Sequence, residues 1–96
     1  MDELGLAHVL KMLAYEDTLA VMRAVKHLGR ASGRDILIMV CRERPVTTYQ
    51  VNKALYKLAG LGLLRRIDTV PSGKRAEWQY NRQGVDTLLG MLREVF

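Results

Sequence analysis

The stretch "PVTTYQVNKALYKLAGLGLLRR", Pro45 to Arg66, decides how this chain is read. Pro45 cannot continue a preceding helix, and it biases Arg44 away from helical geometry. Thr47 and Gln50 have the T-x-x-Q spacing of a capping box. The threonine hydroxyl accepts from the Gln50 amide, and the glutamine side chain reaches back. Val46 and Val51 occupy the two hydrophobic-staple positions. Gly60 and Gly62 predict the stop. The helix therefore covers about residues 47–60. At roughly 100° per residue, Val51, Ala54, Leu55 and Leu58 share one side, the core side. Tyr49, Lys53 and Tyr56 fall nearly opposite. Asn52 lies on one flank, Gln50 and Lys57 on the other. Two tyrosines on an outward face are unusual for a helix that merely meets solvent.

Working outward, "SGRDILIMVC" precedes this helix. Ser32 and Asp35 resemble a capping box with Asp in place of Glu or Gln. Ile36–Cys41 is apolar all round, so periodicity does not separate buried helix from buried strand. The cap and the element that follows predict a short helix. On the other side, "LLRRIDTV" runs into "PSGK", a turn signal, and "RAEWQYN" alternates Ala76, Trp78 and Tyr80. Two strands with Lys74 and Arg75 near the apex make a hairpin over about 64–81. Asn81 is positioned to cap a last helix whose apolar stripe is Val85, Leu88, Leu89, Leu92 and Phe96. At the N-terminus, Leu6, Val9, Leu10 and Leu13 have helical spacing. "YEDT" interrupts, with Asp17 or Thr18 available as an N-cap. Leu19, Met22, Val25 and Leu28 form the next stripe, and Gly29 is a stop. One bent helix and two helices both remain open here.

The expected fold is mainly α with a small β-hairpin, in the order α-α-α-α-β-β-α, as one domain over residues 1–96. A short helix, a tight connection and a helix with a polar outer face make a helix-turn-helix. The basic hairpin after it is the wing of a winged helix-turn-helix.

Charge says what such a face could meet. The net charge is +5 and the pI about 9.7. Between Arg30 and Arg75 stand ten Lys or Arg against three Asp or Glu; the flanks hold five against seven. The positive excess thus belongs to the middle of the chain, and a clustered basic surface points to a polyanion. Cys41 is the one cysteine, which excludes an intramolecular disulfide and fits a reducing cytoplasm. "MDELGLAHVL" is acidic and is not a signal peptide. Ile36–Cys41, the longest apolar run, is far too short to span a bilayer, so no membrane partner is expected.

"ALYKLAGLGLLRR" followed by "SGKRAEWQYN" resembles the recognition helix, the L-x-x-L-x-x-x-G-L ending and the wing of bacterial winged-helix repressors. "HVLKMLAYEDTLAVMRAV" is similar to the opening of ArsR-like regulators, although the usual arginine at the start of the second helix is Thr18 or Leu19 here. "LYKLAGLGLL" with "YNRQGVDTLLGML" is similar to PadR- and MarR-like regulators, in which a leucine-rich helix follows the wing. The resemblance implies a sequence-specific regulator of double-stranded DNA, by default a repressor. ArsR-like metal sensing needs thiolate pairs or His and carboxylate clusters. With Cys41, His8 and His27 in different segments, no metal site and no other cofactor is expected. No small-molecule ligand is evident.

A recognition helix places its N-terminal half against base edges. Here that half offers Thr48, Tyr49, Gln50, Asn52, Lys53 and Tyr56. Gln and Asn suit adenine, Lys suits guanine, and Thr suits either a hydrogen bond or a thymine methyl. Either tyrosine has a second reading as a half-buried prop against the wing. Lys57, Arg42, Arg44, Arg65 and Arg66 suit phosphates, and Lys74 and Arg75 suit the neighbouring minor groove or backbone. A homodimer is expected, with its seam on Leu6, Val9, Leu10, Leu13, Val85, Leu88, Leu89, Leu92 and Phe96. No G-x-S-x-G, Walker-type loop or convincing carboxylate pair suggests an enzyme. The rival reading is a winged-helix module for protein–protein contact, which the clustered charge disfavours. RNA binding is a third, since A-form major grooves exclude a helix.

Overall fold

A computed structural model describes residues 3–70 and 76–96. Its elements are α1 (Glu3–Leu13), α2 (Glu16–Leu28), β1 (Arg30–Ser32), α3 (Gly33–Glu43), α4 (Thr48–Gly60), β2 (Leu64–Asp68), β3 (Ala76–Tyr80) and α5 (Arg82–Val95). The N-terminal segment is two helices, broken at Ala14 and Tyr15. The capping box at α4 is complete: Gln50 N donates to Thr47 Oγ1 at 3.1 Å, and Thr47 N donates to Gln50 Oε1 at 2.8 Å. Such a cap contributes about 1 kcal/mol by satisfying amides that the first turn leaves open. Ser32 caps α3 by accepting from the Asp35 amide at 3.2 Å, so the Ile36–Cys41 run is helical.

One strand escapes the sequence. β1 is three residues long and joins the hairpin to form a sheet of order β1-β3-β2, antiparallel throughout. Arg30, Ala31 and Ser32 pair with Gln79, Trp78 and Glu77. β2 pairs Leu64 with Tyr80 through to Asp68 with Ala76. β3 is therefore the central strand, and the chain runs α-α-β-α-α-β-β-α. A segment so short has no alternation of its own; the neighbouring strand supplies its hydrogen bonds.

The core is formed by Val21 and Val25 of α2, Ile36 and Val40 of α3, and Val51, Leu55 and Leu58 of α4, all fully buried. Around them lie Leu6, Val9, Ala31, Leu63, Leu64, Trp78 and Leu88. The expected core face of α4 is the buried one. The expected stripe on α2 is rotated. Leu19 and Leu28 are exposed and Met22 is half-buried, while Thr18, Ala20, Val21, Ala24 and Val25 face inward. Small side chains on that face let α2 lie close against α3 and α4, and leucine would hold the helices apart.

Three further local expectations change. Neither Asp17 nor Thr18 caps α2. The cap position is Tyr15, without a side-chain hydrogen bond, and Thr18 is buried. Asn81 does occupy the cap position of α5, but its side chain donates to the Gly62 carbonyl at 2.7 Å instead of to its own helix. Cys41, expected as a small core residue, is exposed, with Sγ 3.6 Å from the Val46 carbonyl.

Gly62 ends the region after α4 at φ +78°, a conformation in which a Cβ meets the backbone. The Gly62 and Leu63 carbonyls then receive the Asn81 side chain and the Asn81 amide. This seats the start of α5 directly on the turn that follows α4.

Candidate nucleic-acid interface

The outward face of α4 is built by its own amphipathicity. Val51, Ala54, Leu55 and Leu58 are sealed against α2 and α3, so positions 49, 52, 53 and 56 are left outside. Tyr49 is 73% exposed and Tyr56 57%. Thr48, Gln50, Asn52 and Lys53 are also exposed. The helix carries no Asp or Glu from Thr48 to Gly60. A rod with two tyrosines, two amides, a threonine and a lysine outward, and no acid, presents donors and one full charge to whatever lies against it.

The flanking residues divide into two groups. Arg34, Arg42 and Arg65 are exposed and enter no ion pair among the described residues. Lys57 is half-buried, with its ammonium 5.4 Å from the Tyr15 ring centroid. Lys53 and Lys57 share a groove with Tyr15, Thr18, Thr47 and Tyr49 along one side of α4. Arg34, Thr48 and Asn52 line a cleft along the other, between the first turns of α3 and α4.

Arg44 belongs elsewhere. Its guanidinium reaches Glu16 Oε2 and Asp17 Oδ1, each at 3.0 Å. It closes the α3–α4 connection onto the first turn of α2, and its charge is already matched. Arg66 is likewise engaged, 3.0 Å from Asp68 Oδ1, with Cζ 5.9 Å from the Tyr56 ring centroid. Tyr56 also packs edge-on against Trp78, with ring centroids 5.1 Å apart and planes at 86°. Gln50 spends its carbonyl oxygen on the cap, which leaves Nε2 as the amide group the cap does not use. Adenine recognition through both atoms of that amide would compete with the start of the helix. Lys74 and Arg75 lie outside the described residues.

Arg34 was not among the residues singled out from the sequence. Its signal was its place, one residue after Gly33 at the start of a capped helix, but only the crossing of α3 over α4 brings it beside Thr48 and Asn52.

Of the residues expected at a dimer seam, Leu6, Val9 and Leu88 are buried in the chain's own core. They cannot meet a partner. Leu13, Val85 and Leu92 are half-buried against that core. Leu10, Leu89 and Phe96 are exposed, as is Val95, with Phe96 at 93%. Apolar surface open to solvent is therefore concentrated toward the end of α5.

Among the described residues, no three His, Cys, Asp or Glu side chains come together in a set able to hold a metal ion. No helix is long and apolar enough to cross a membrane.

No protein-family model matches the sequence, and no curated protein matches it. A solved structure does match. NadR, a MarR-family winged-helix regulator solved in complex with 4-hydroxyphenylacetate, superposes with a TM-score of 0.61 over 96% of this chain, at 16% identity. The fold is that of a winged-helix regulator. The chain spans 64% of the NadR chain. At this identity the likeness is one of architecture, and the functional reading rests on the residues described above.

Proposed function

We propose that the chain is a sequence-specific double-stranded DNA-binding transcriptional regulator, acting as a dimeric repressor. The observation that carries this reading is the outward face of α4: exposed Thr48, Tyr49, Asn52, Lys53 and Tyr56 on a capped helix with no acidic residue. A helix about 10–12 Å across fits the B-form major groove. Asn52 and Lys53 supply base-edge contacts, with Thr48 and Tyr49 at the leading turn. Arg34, Arg42, Lys57 and Arg65 hold the backbone on either side, which positions the helix without specifying sequence. Lys74 and Arg75 at the hairpin apex extend the contact to the neighbouring groove.

The dimer is proposed through the apolar surface left open at Leu10, Leu89, Val95 and Phe96. A two-fold pair would read half-sites about 34–36 Å apart. Sedimentation equilibrium at micromolar concentration is expected to give twice the 10.9 kDa chain mass. A monomer at that concentration removes the two-fold part of the proposal.

The binding reading is tested by titrating the protein against duplex DNA flanking its own gene at two salt concentrations, with scrambled duplex and structured RNA alongside. Affinity is expected to rank gene-flanking duplex above scrambled duplex above RNA. The slope of log K against log salt should gain about 0.9 for each phosphate neutralised. Equal affinity for all three, or no salt dependence, overturns it.

A further inference from the structure

We propose that Tyr56 is a positioning residue that braces the β-hairpin on α4, and that it serves DNA binding by setting where the wing stands, without itself touching DNA. The hairpin leaves α4 through the short turn Leu61–Leu63, whose middle residue is Gly62 at φ +78°. Beyond that turn it projects as a lever, with Leu64 and Tyr80 nearest the turn and Asp68 and Ala76 farthest from it. Arg66 and Trp78 are the middle rung of this ladder. Tyr56 meets both residues of that rung. Its ring stands edge-on to Trp78 with centroids 5.1 Å apart, and the Arg66 guanidinium lies 5.9 Å from its centroid.

Two attractions thus converge on one ring. An edge-to-face aromatic pair is directional because the ring carries a negative face and a positive edge. A guanidinium is held by the same electron distribution. Arg66 is itself fixed by Asp68 at 3.0 Å. Trp78 is buried, and it pairs across its other side with Ala31 of β1. A side chain on the outward face of α4 is in this way tied to the centre of the sheet. A contact halfway along a lever fixes its direction, and so fixes how far the apex lies from the helix. The exposure of Tyr56 is consistent with this role, since its ring needs only one edge and one face in contact.

The contact stands on geometry alone; its consequence for DNA rests on the function proposed above. The experiment separates the two. Trp78 is the chain's one tryptophan, so intrinsic emission reports the middle rung directly, without DNA. Tyr56→Phe keeps the ring and removes the hydroxyl. It is expected to keep both the emission maximum and the DNA affinity of the parent chain. Tyr56→Ala is expected to shift the emission to longer wavelength and to weaken duplex binding by about tenfold, the loss of one aromatic pair. It should also flatten the salt dependence by up to about 1.8, two apex contacts at about 0.9 each. If Tyr56→Ala loses its far-UV signal, Tyr56→Leu, which retains apolar bulk, takes its place with the same readouts. Unchanged emission in the ring-deleted variant overturns the brace. Loss of binding in Tyr56→Phe with unchanged emission overturns the positioning role and assigns the hydroxyl to DNA. A parent chain that binds no duplex defeats the DNA reading, while the emission comparison still decides the brace.

Discussion

Gly84→Ala is expected to cost this chain a large part of its stability. A Cβ at Gly84 would stand 1.9 Å from the Gly62 carbonyl oxygen and 2.9 Å from the Gly62 carbonyl carbon. Both are backbone atoms, so no rotamer change relieves the clash. The turn is further held by Asn81, whose side chain reaches the Gly62 carbonyl at 2.7 Å and whose amide reaches the Leu63 carbonyl at 3.0 Å. Either α5 moves away from the turn, losing the burial of Leu88, or the left-handed Gly62 is displaced. Overpacking costs about 1–3 kcal/mol and occasionally more, and contact with immobile backbone belongs at the upper end. For a domain near this size, each kcal/mol lowers Tm by about 4–8 °C. A fall of about 10 °C or more, followed by far-UV circular dichroism, is the expected result. Gly90→Ala is the matched control. It lies in the same helix with nothing within 4 Å of an added Cβ, and helix propensity favours alanine there by up to about 1 kcal/mol. If both variants melt alike, the seat of α5 on the Gly62 turn does not hold as described.

Lys53→Gln is expected to give the largest single loss of DNA affinity without a loss of fold. Lys53 is exposed in the middle of the outward face of α4. It makes no ion pair among the described residues. Its replacement should leave stability within about 0.5 kcal/mol. A good base-edge contact is worth about 1–3 kcal/mol, so affinity should drop by about tenfold to a hundredfold at constant salt. The salt slope tells what Lys53 touches. A slope smaller by about 0.9 marks a phosphate; an unchanged slope with weaker discrimination between operator and scrambled duplex marks a base. Lys11→Gln on α1 removes the same charge from the acidic flank of the chain and should alter neither quantity. Equal affinities for Lys53→Gln and the parent protein would remove α4 from the groove.

What was legible in the sequence is local. The Thr47–Gln50 cap, the Val51-Ala54-Leu55-Leu58 face and the stop near Gly62 are short-range consequences of backbone hydrogen bonding and a 3.6-residue period. They define α4, and with it the residues left on its outer side. The alternation of Ala76, Trp78 and Tyr80 and the turn before it define the hairpin in the same way. The tertiary structure decided everything that depends on a partner distant in sequence. β1 exists because β3 offers it an edge. Leu19 is outside and Ala20 inside because the spacing between helices selects for small residues. Arg44 and Arg66, equal to Arg42 and Arg65 as charges in a string, are drawn into ion pairs with Glu16, Asp17 and Asp68. Gly84 has no local signal beyond being a glycine in a helix; its necessity comes from a carbonyl 22 positions earlier in the chain. A sequence specifies torsions and faces through neighbours along the chain, whereas a charge or a Cβ acquires its role from what folding brings within a few ångströms of it.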